Sequence, residues 1–233
     1  MTAETSTLER ERLTQVRHSL VRPLFGDDIA LAVSNPLGNP AAPLAEEVAC
    51  LTPTAVPKRR NEFAAGRAAA HQAMRQLGLP VQAIPVGENR APVWPQGIVG
   101  SITHTRSCAM AVLAHQGEVR ALGIDVEEDK PLATDLWPAI CSDREQDWLR
   151  AQGDPGQMAK LIFSAKEAAY KCQYTLSERF YGFEGMELTV DTAERRFSAR
   201  FCADQPPFAA GECIGGRFAI GAGLIVTTAE LRS

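Results

Sequence analysis

Three acidic residues, Asp125, Glu127 and Glu167, raise the question of chemistry first. In "GIDVE" (123–127) an extended chain sends alternate side chains to opposite faces, so Ile124 and Val126 point one way and Asp125 and Glu127 the other. The apolar pair suits a core. The acidic pair sets two carboxylates side by side, where like charges repel unless something positive stands between them. Glu167 follows in "FSAKEAAYK" (163–171), with Lys166 beside it and Lys171 one helical turn on. One reading is a solvated face whose acids meet nearby Lys or Arg, an i,i+4 Glu–Lys pair being worth only a few tenths of a kcal/mol. The other is a hard divalent cation, because Mg²⁺ takes one or a few carboxylates and shares its other positions with water and substrate phosphate. Six scattered cysteines and four histidines offer no C-x-x-C pair and no competing zinc set.

Groups suited to phosphate lie earlier in the chain. Arg59, Arg60 and Arg67 fall in "PKRRNEFAAGRAAAHQAMRQL" (57–77). At about 100° per residue they sit within or at the edge of the apolar stripe of Phe63, Ala70, Met74 and Leu77, not opposite it. Long arginines can snorkel out of such positions. Alternatively their guanidinium forks hold a phosphate, which they match in geometry and in permanent charge. Arg90 sits in the proline-braced "ENRAP", and His104 closes the strand-like "GSITH", where it serves either as a structural hydrogen-bonder or as a ligand. Ser101 and His104 do not make a hydrolase: there is no G-x-S-x-G elbow, and three residues along a strand their side chains face opposite ways. Acids, arginines and a metal together describe phosphoryl-type chemistry.

The elements that must position these groups follow from periodicity and breakers. Residues 57–77 read as a helix begun by Pro57 and closed by Gly78. Residues 98–114 and 119–127 read as two strands joined around "HQGE" as a hairpin. Helices are expected near 142–151 and over 156–173, and strands at 184–190, 195–202 and 216–227. The stretches 34–43 and 87–97 are loops, and residues 1–22 a polar, partly helical lead-in. Each half is thus a helix followed by strands. The expected fold is α/β (α+β), a pseudo-twofold pair of similar halves, 1–120 and 121–233, with the active site in a cleft between them.

Composition is ordinary for a soluble protein, with 45% hydrophobic and 22% charged residues. A net charge of −4 excludes a generally basic nucleic-acid binder. The charge is uneven: residues 1–120 hold 12 Lys+Arg against 10 Asp+Glu, and residues 121–233 hold 12 against 18. The apolar stretches fall short of the ~20 residues of a bilayer span. The polar, acid-bearing start "MTAETSTLERERLTQ" does not read as a signal peptide, so the expected place is the cytoplasm, without a stable membrane anchor.

"GIDVE" followed by "FSAKEAAYK" resembles the paired signature of the 4′-phosphopantetheinyl transferases. "KRRNEFAAGR", "ENRAPVWP" and "GSITH" resemble the two-lobed, surfactin-type subgroup typified by enterobactin synthase component D. The similarity runs from about residue 57 to 183, whereas residues 1–56 and 184–233 carry no matching motif. The resemblance implies a monomer of two pseudo-symmetric halves, with coenzyme A as co-substrate in the cleft. The enzyme would move phosphopantetheine to a serine of an apo acyl or peptidyl carrier protein and release 3′,5′-ADP. Siderophore and other nonribosomal peptide synthesis supply such carriers.

Carried over residue by residue, Asp125, Glu127 and Glu167 match an acidic triad for Mg²⁺, with Mn²⁺ a substitute. Arg59, Arg67, Arg90 and His104 match groups that grip coenzyme A. Lys166 and Lys171 match lysines near its pyrophosphate, so the resemblance gives Lys166, Asp125 and Glu167 catalytic roles. Glu167 is either the base for the serine proton or purely a metal ligand. Phe163 stands where many relatives carry Trp, which changes packing more than chemistry. "YTLSERFYGF" (174–183), taken mainly as loop, is either a docking surface for the carrier or core packing. A coenzyme A-binding module without transfer, and a hydrolase releasing phosphopantetheine to water, are the alternatives. Asp125→Ala is expected to end metal-dependent transfer and leave the fold intact, on the expectation that Asp125 faces an open cleft.

Overall fold

The computed structural model describes residues 3–233, and residues 1 and 2 of the expected lead-in lie outside the described residues. The chain divides into two compact units, Met1–Val119 and Arg120–Ser233. The first unit runs α1 (Ala3–Val21), β1 (Ala30–Ser34), α2 (Ala45–Val48), α3 (Pro57–Gln76), β2 (Ile98–His104) and β3 (Ala109–His115). Its three strands pair antiparallel in the order β1-β3-β2. Pro57 starts α3 with its φ already helical and no N–H to satisfy. Gly78 beyond the last turn takes the left-handed conformation, φ +72°, that ends a helix cheaply. The face of α3 that meets the sheet is almost all alanine: Ala65, Ala69, Ala70 and Ala73 are fully buried. Small side chains let helix and sheet approach closely, and Met74, Ile84, Ala111 and Leu113 fill the space that remains.

The second unit comprises β4 (Val119–Glu128), α4 (Trp137–Ile140), α5 (Asp143–Arg150), α6 (Pro155–Ser177), β5 (Met186–Asp191), β6 (Arg196–Phe201), β7 (Cys213–Gly221) and β8 (Leu224–Arg232). The sheet order is β4-β8-β7-β6-β5, and β5 to β8 form an antiparallel meander. Ser142 and Glu145 close a capping box at the start of α5. Asp154 accepts from the Gln157 amide at the start of α6, and Pro155 opens that helix. Alternation shows in β6, where Phe197, Ala199 and Phe201 are buried and Arg196 and Arg200 are exposed.

Three expectations about strands are corrected. The run 98–114 is two strands, β2 and β3, folded back at 105–108, where the Thr105 amide donates to Cys108 O at 2.7 Å. The hairpin expected around "HQGE" does not form, because β3 is the central strand of its sheet and both its edges are taken by β1 and β2. β4 pairs instead with β8. The run 216–227 likewise holds parts of β7 and β8, joined through Ala222 and Gly223 at φ 51° and 74°. Two consecutive positive φ values are the signature of a tight two-residue hairpin turn.

Each unit is therefore strand, long helix, then antiparallel strands, of which the last returns to pair with the first: β3 with β1, and β8 with β4. Among the described residues no helix is long and apolar enough to cross a membrane.

Candidate active site

Gly123 sets the geometry of the second unit. A Cβ there would lie 1.9 Å from the carbonyl oxygen of Ala168, so only glycine lets β4 run this close to α6. The close approach brings Asp125 and Glu127 against one stripe of α6, residues 160, 164, 167 and 171, spaced by helical turns. Lys171 Nζ donates to Asp125 Oδ1 at 2.6 Å and to Ile124 O at 3.1 Å. Ser164 Oγ donates to Asp125 Oδ2 at 2.9 Å, and Thr227 Oγ1 on β8 donates back to Ser164 O at 2.8 Å. Lys160 Nζ lies 3.3 Å from Glu127 Oε2.

Asp125 is only 5% exposed, which corrects the expectation that it faces an open cleft. Burial pushes the Glu127 carboxyl above its ordinary range, the charge of Asp125 adds to this, and Lys160 pulls it back. Burial does the same to Glu167, opposed by Lys171 and reinforced by Asp125 and Glu127. Of the three acids, Glu167 alone has neither a hydrogen bond nor an ion pair among the described residues.

The donor set suits a hard dication. All three groups are carboxylates, Asp125 raises both glutamates and Glu127 raises Glu167, and two lysines against three acids leave negative charge over. Among the described residues no three His, Cys, Asp or Glu side chains form a ready-made metal cage. Mg²⁺ does not need one, since it keeps several waters and binds through one or two carboxylates plus phosphate.

Beside Glu167 lies a cavity of about 210 Å³, lined among others by Tyr170, Phe180, Tyr181 and Phe183. Residues 180–183 of the "YTLSERFYGF" segment form part of its wall, and the first residues of that segment continue α6 as far as Ser177 in place of the expected loop. Tyr181 packs edge-on to Tyr170 and to Phe201, and Phe183 lies 5.5 Å from Phe163. Those two rings serve the core. Phe180 is 75% exposed at the cavity.

The first unit collects the basic groups. Arg59 Nη1 lies 3.1 Å from His104 Nε2, which must carry a lone pair for the guanidinium to donate. His104 Nδ1 is 3.9 Å from Glu62. Arg67 is buried over the Phe63 ring, and its Nε has no hydrogen-bond partner, Glu47 standing 3.8 Å away. Burial works against its charge, and Glu47 supports it. Arg90 is exposed on a tight turn at φ 65°. Arg60 differs from Arg59: its guanidinium donates to Ala55 O at 2.8 Å and Pro53 O at 2.6 Å, holding a loop.

Residues 46–114 match the 4′-phosphopantetheinyl transferase N-terminal domain, and residues 121–222 match the 4′-phosphopantetheinyl transferase superfamily. The chain is 35% identical over 217 residues to 4′-phosphopantetheinyl transferase PptT of Mycobacterium tuberculosis, covering 88% of this chain and 93% of that protein. The chain belongs to the 4′-phosphopantetheinyl transferase superfamily. The transferase is also 36% identical over 194 residues to Svp of Streptomyces mobaraensis, covering 81% of this chain and 79% of that protein. Enterobactin synthase component D of Salmonella typhi is 40% identical over 138 residues, covering 57% of this chain and 55% of that protein.

A second site expectation changes in this transferase. Lys166 does not join the acids. Its ammonium donates to Ile140 O at 2.7 Å, Glu145 Oε2 at 2.8 Å and Phe183 O at 3.0 Å, which uses all three of its protons. Ser164, Lys160 and Thr227, which brace or neutralise the acids, were not among the expected site residues. The i, i+4, i+7, i+11 spacing of Lys160, Ser164, Glu167 and Lys171 was a legible signal for the first two. Thr227 had none.

Proposed function

We propose that this transferase moves the 4′-phosphopantetheine group of coenzyme A to a serine of an apo acyl or peptidyl carrier protein, releases 3′,5′-ADP, and uses Mg²⁺ held by Asp125, Glu127 and Glu167. The observation that carries the reading is the braced acid layer of β4 and α6 beside an aromatic-lined cavity, in a chain of this superfamily. Bound Mg²⁺ supplies charge neutralisation at the pyrophosphate as the P–O bond to the leaving ADP breaks.

The protein's own groups do the rest. Lys171 and Ser164 hold Asp125 in one orientation, so the carboxylate needs no reorganisation on binding. Glu167 has two oxygens without a protein partner among the described residues, one for the metal and the other to take the proton of the carrier serine as that hydroxyl attacks the phosphorus bearing pantetheine. Arg59, Arg67, Arg90 and His104 take the phosphates of the nucleotide. The unpartnered Nε of Arg67 is a buried donor for which a phosphate oxygen supplies the missing acceptor. The cavity suits the pantetheine arm, which is uncharged and largely aliphatic. The enzyme acts in the cytoplasm as a monomer, the state the family resemblance implies. Mn²⁺ replaces Mg²⁺ in so oxygen-rich a site.

Intact-protein mass spectrometry of apo acyl and peptidyl carriers, incubated with the protein, coenzyme A and Mg²⁺, tests this directly. The resemblance to enterobactin synthase component D puts peptidyl carriers of siderophore synthesis first among those to try. A mass gain of one phosphopantetheine, lost with EDTA, is expected. Coenzyme A breakdown without carrier would point to a hydrolase, and binding without any mass gain would point to a non-catalytic module or to a carrier not among those tried.

A further inference from the structure

The most elaborate buried polar network of the second unit that makes no hydrogen bond to the acids centres on Glu145 and Lys166, 2% and 4% exposed. Glu145 Oε2 accepts from Lys166 Nζ and from the Ser142 amide at 2.7 Å, while Oε1 accepts from the Leu188 amide at 2.6 Å. One carboxylate thus ties the start of α5, the middle of α6 and strand β5. The ammonium adds the end of α4, through Ile140 O, and the turn at Phe183.

That turn forms part of the cavity wall. Residues 183–185 form a single 3₁₀ turn between α6 and β5, held at its far end by the Cys202 amide, which donates to Gly185 O at 3.0 Å, and at its near end by Lys166. It is also tightly folded. A Cβ on Gly182 would fall 2.3 Å from Glu184 Oε2, and one on Gly185 would fall 2.3 Å from the Tyr181 ring. Lys166 grips the turn at Phe183 O and Glu145 grips the next strand at Leu188 N, so the two bonds bracket the wall from either side of Met186. Lys166, Glu167, Phe183 and Met186 all line the same cavity.

We propose that Glu145 and Lys166 are a positioning pair: they pin the Phe183 turn and so set the shape of the cavity that takes the pantetheine arm, without touching substrate phosphate. This rests on the coenzyme A reading above. It replaces the catalytic role expected of Lys166, because an ammonium with three satisfied donors has none to offer a pyrophosphate. It adds Glu145, which no motif singled out.

The product 3′,5′-ADP separates the possibilities, since it carries the nucleotide but lacks the arm. The dissociation constants of coenzyme A and 3′,5′-ADP are measured by calorimetry for wild type, Glu145→Gln, and Lys166→Met combined with Glu145→Gln. Melting temperature and transfer rate are recorded beside them. Glu145→Gln keeps a side-chain oxygen for the Leu188 or Ser142 amide while removing the charge, and the double variant leaves no buried ion unpaired, which protects folding. Coenzyme A binding should weaken by about tenfold or more in both variants while 3′,5′-ADP binding stays within about twofold. Equal weakening of both ligands would overturn the proposal in favour of a phosphate contact or general loosening. Unchanged binding of both would overturn it too. If wild type binds no coenzyme A, the proposed function fails, and this inference fails with it.

Discussion

At Asp125 burial changes what a substitution does. Its carboxylate is enclosed and carries contacts from Lys171 and Ser164, so Asp125→Ala should end transfer and also lower stability by about 1–3 kcal/mol. Asp125→Asn keeps an acceptor for Ser164 and should lose activity with a smaller stability change. Urea unfolding beside transfer rates checks both, and a wild-type midpoint for Asp125→Ala would show that the bracing contributes nothing to folding. Arg67→Ala should raise the Michaelis constant for coenzyme A by about 10- to 100-fold through loss of a charge-assisted contact, with little change for carrier. Arg60→Ala should leave the coenzyme A constant within about twofold, because that guanidinium is spent on Ala55 O and Pro53 O. The helical projection left Arg59 and Arg60 equivalent, since neighbours on a helix edge differ by only ~100°. The partner of Arg59, His104, lies 45 positions away on a strand that only folding brings near. Tyr181 offers a test of the opposite sign. Its hydroxyl is buried without a hydrogen bond, so Tyr181→Phe should raise the urea midpoint, the orphaned group costing about 1–3 kcal/mol.

Between elements, the contact of β4 with α6 depends on one missing side chain. Gly123→Ala would drive a methyl group into the Ala168 carbonyl, which backbone on both sides cannot yield to cheaply. The variant should lose about 3 kcal/mol or more of stability, and any folded fraction should transfer poorly because Asp125 no longer meets Ser164 and Lys171. Thermal unfolding and transfer assays on the same preparation would show whether the two losses go together. The helices were largely legible beforehand: α3 carries Pro57 and Gly78 as its own start and stop, and α5 and α6 carry their caps at Ser142 and Asp154. Strand partnership was not. "HQGE" looks like a hairpin connection in isolation, and what forbids it is that β1, from far earlier in the chain, already occupies the second edge of β3.

Across the molecule, acid should weaken the first unit through Glu47. Burial alone would raise this carboxyl, but hydrogen bonds from His71, Ile84 and Leu44 outweigh it and hold the group below its ordinary range. A folded-state value below the unfolded one means stabilisation that is complete above the ordinary carboxylate range and is lost as pH falls through the folded value. Glu47→Gln should therefore be less stable than wild type near pH 7, and the gap should shrink as pH falls below about 4, measured by urea unfolding at several pH values. The sequence alone determined which residues could carry chemistry and which of them share a side. Asp125 and Glu127 alternate against Ile124 and Val126, and Glu167 and Lys171 lie one turn apart, because strand and helix periods are written in local spacing. Tertiary structure decided what those residues do. Lys166 meets Glu145 across 21 positions and Ser164 meets Thr227 across 63, separations at which no local period survives. The long-range partner took Lys166 out of the acid layer, enclosed Asp125 and gave β4 to β8, because a buried charge or a strand edge goes to whichever group the whole fold brings within reach.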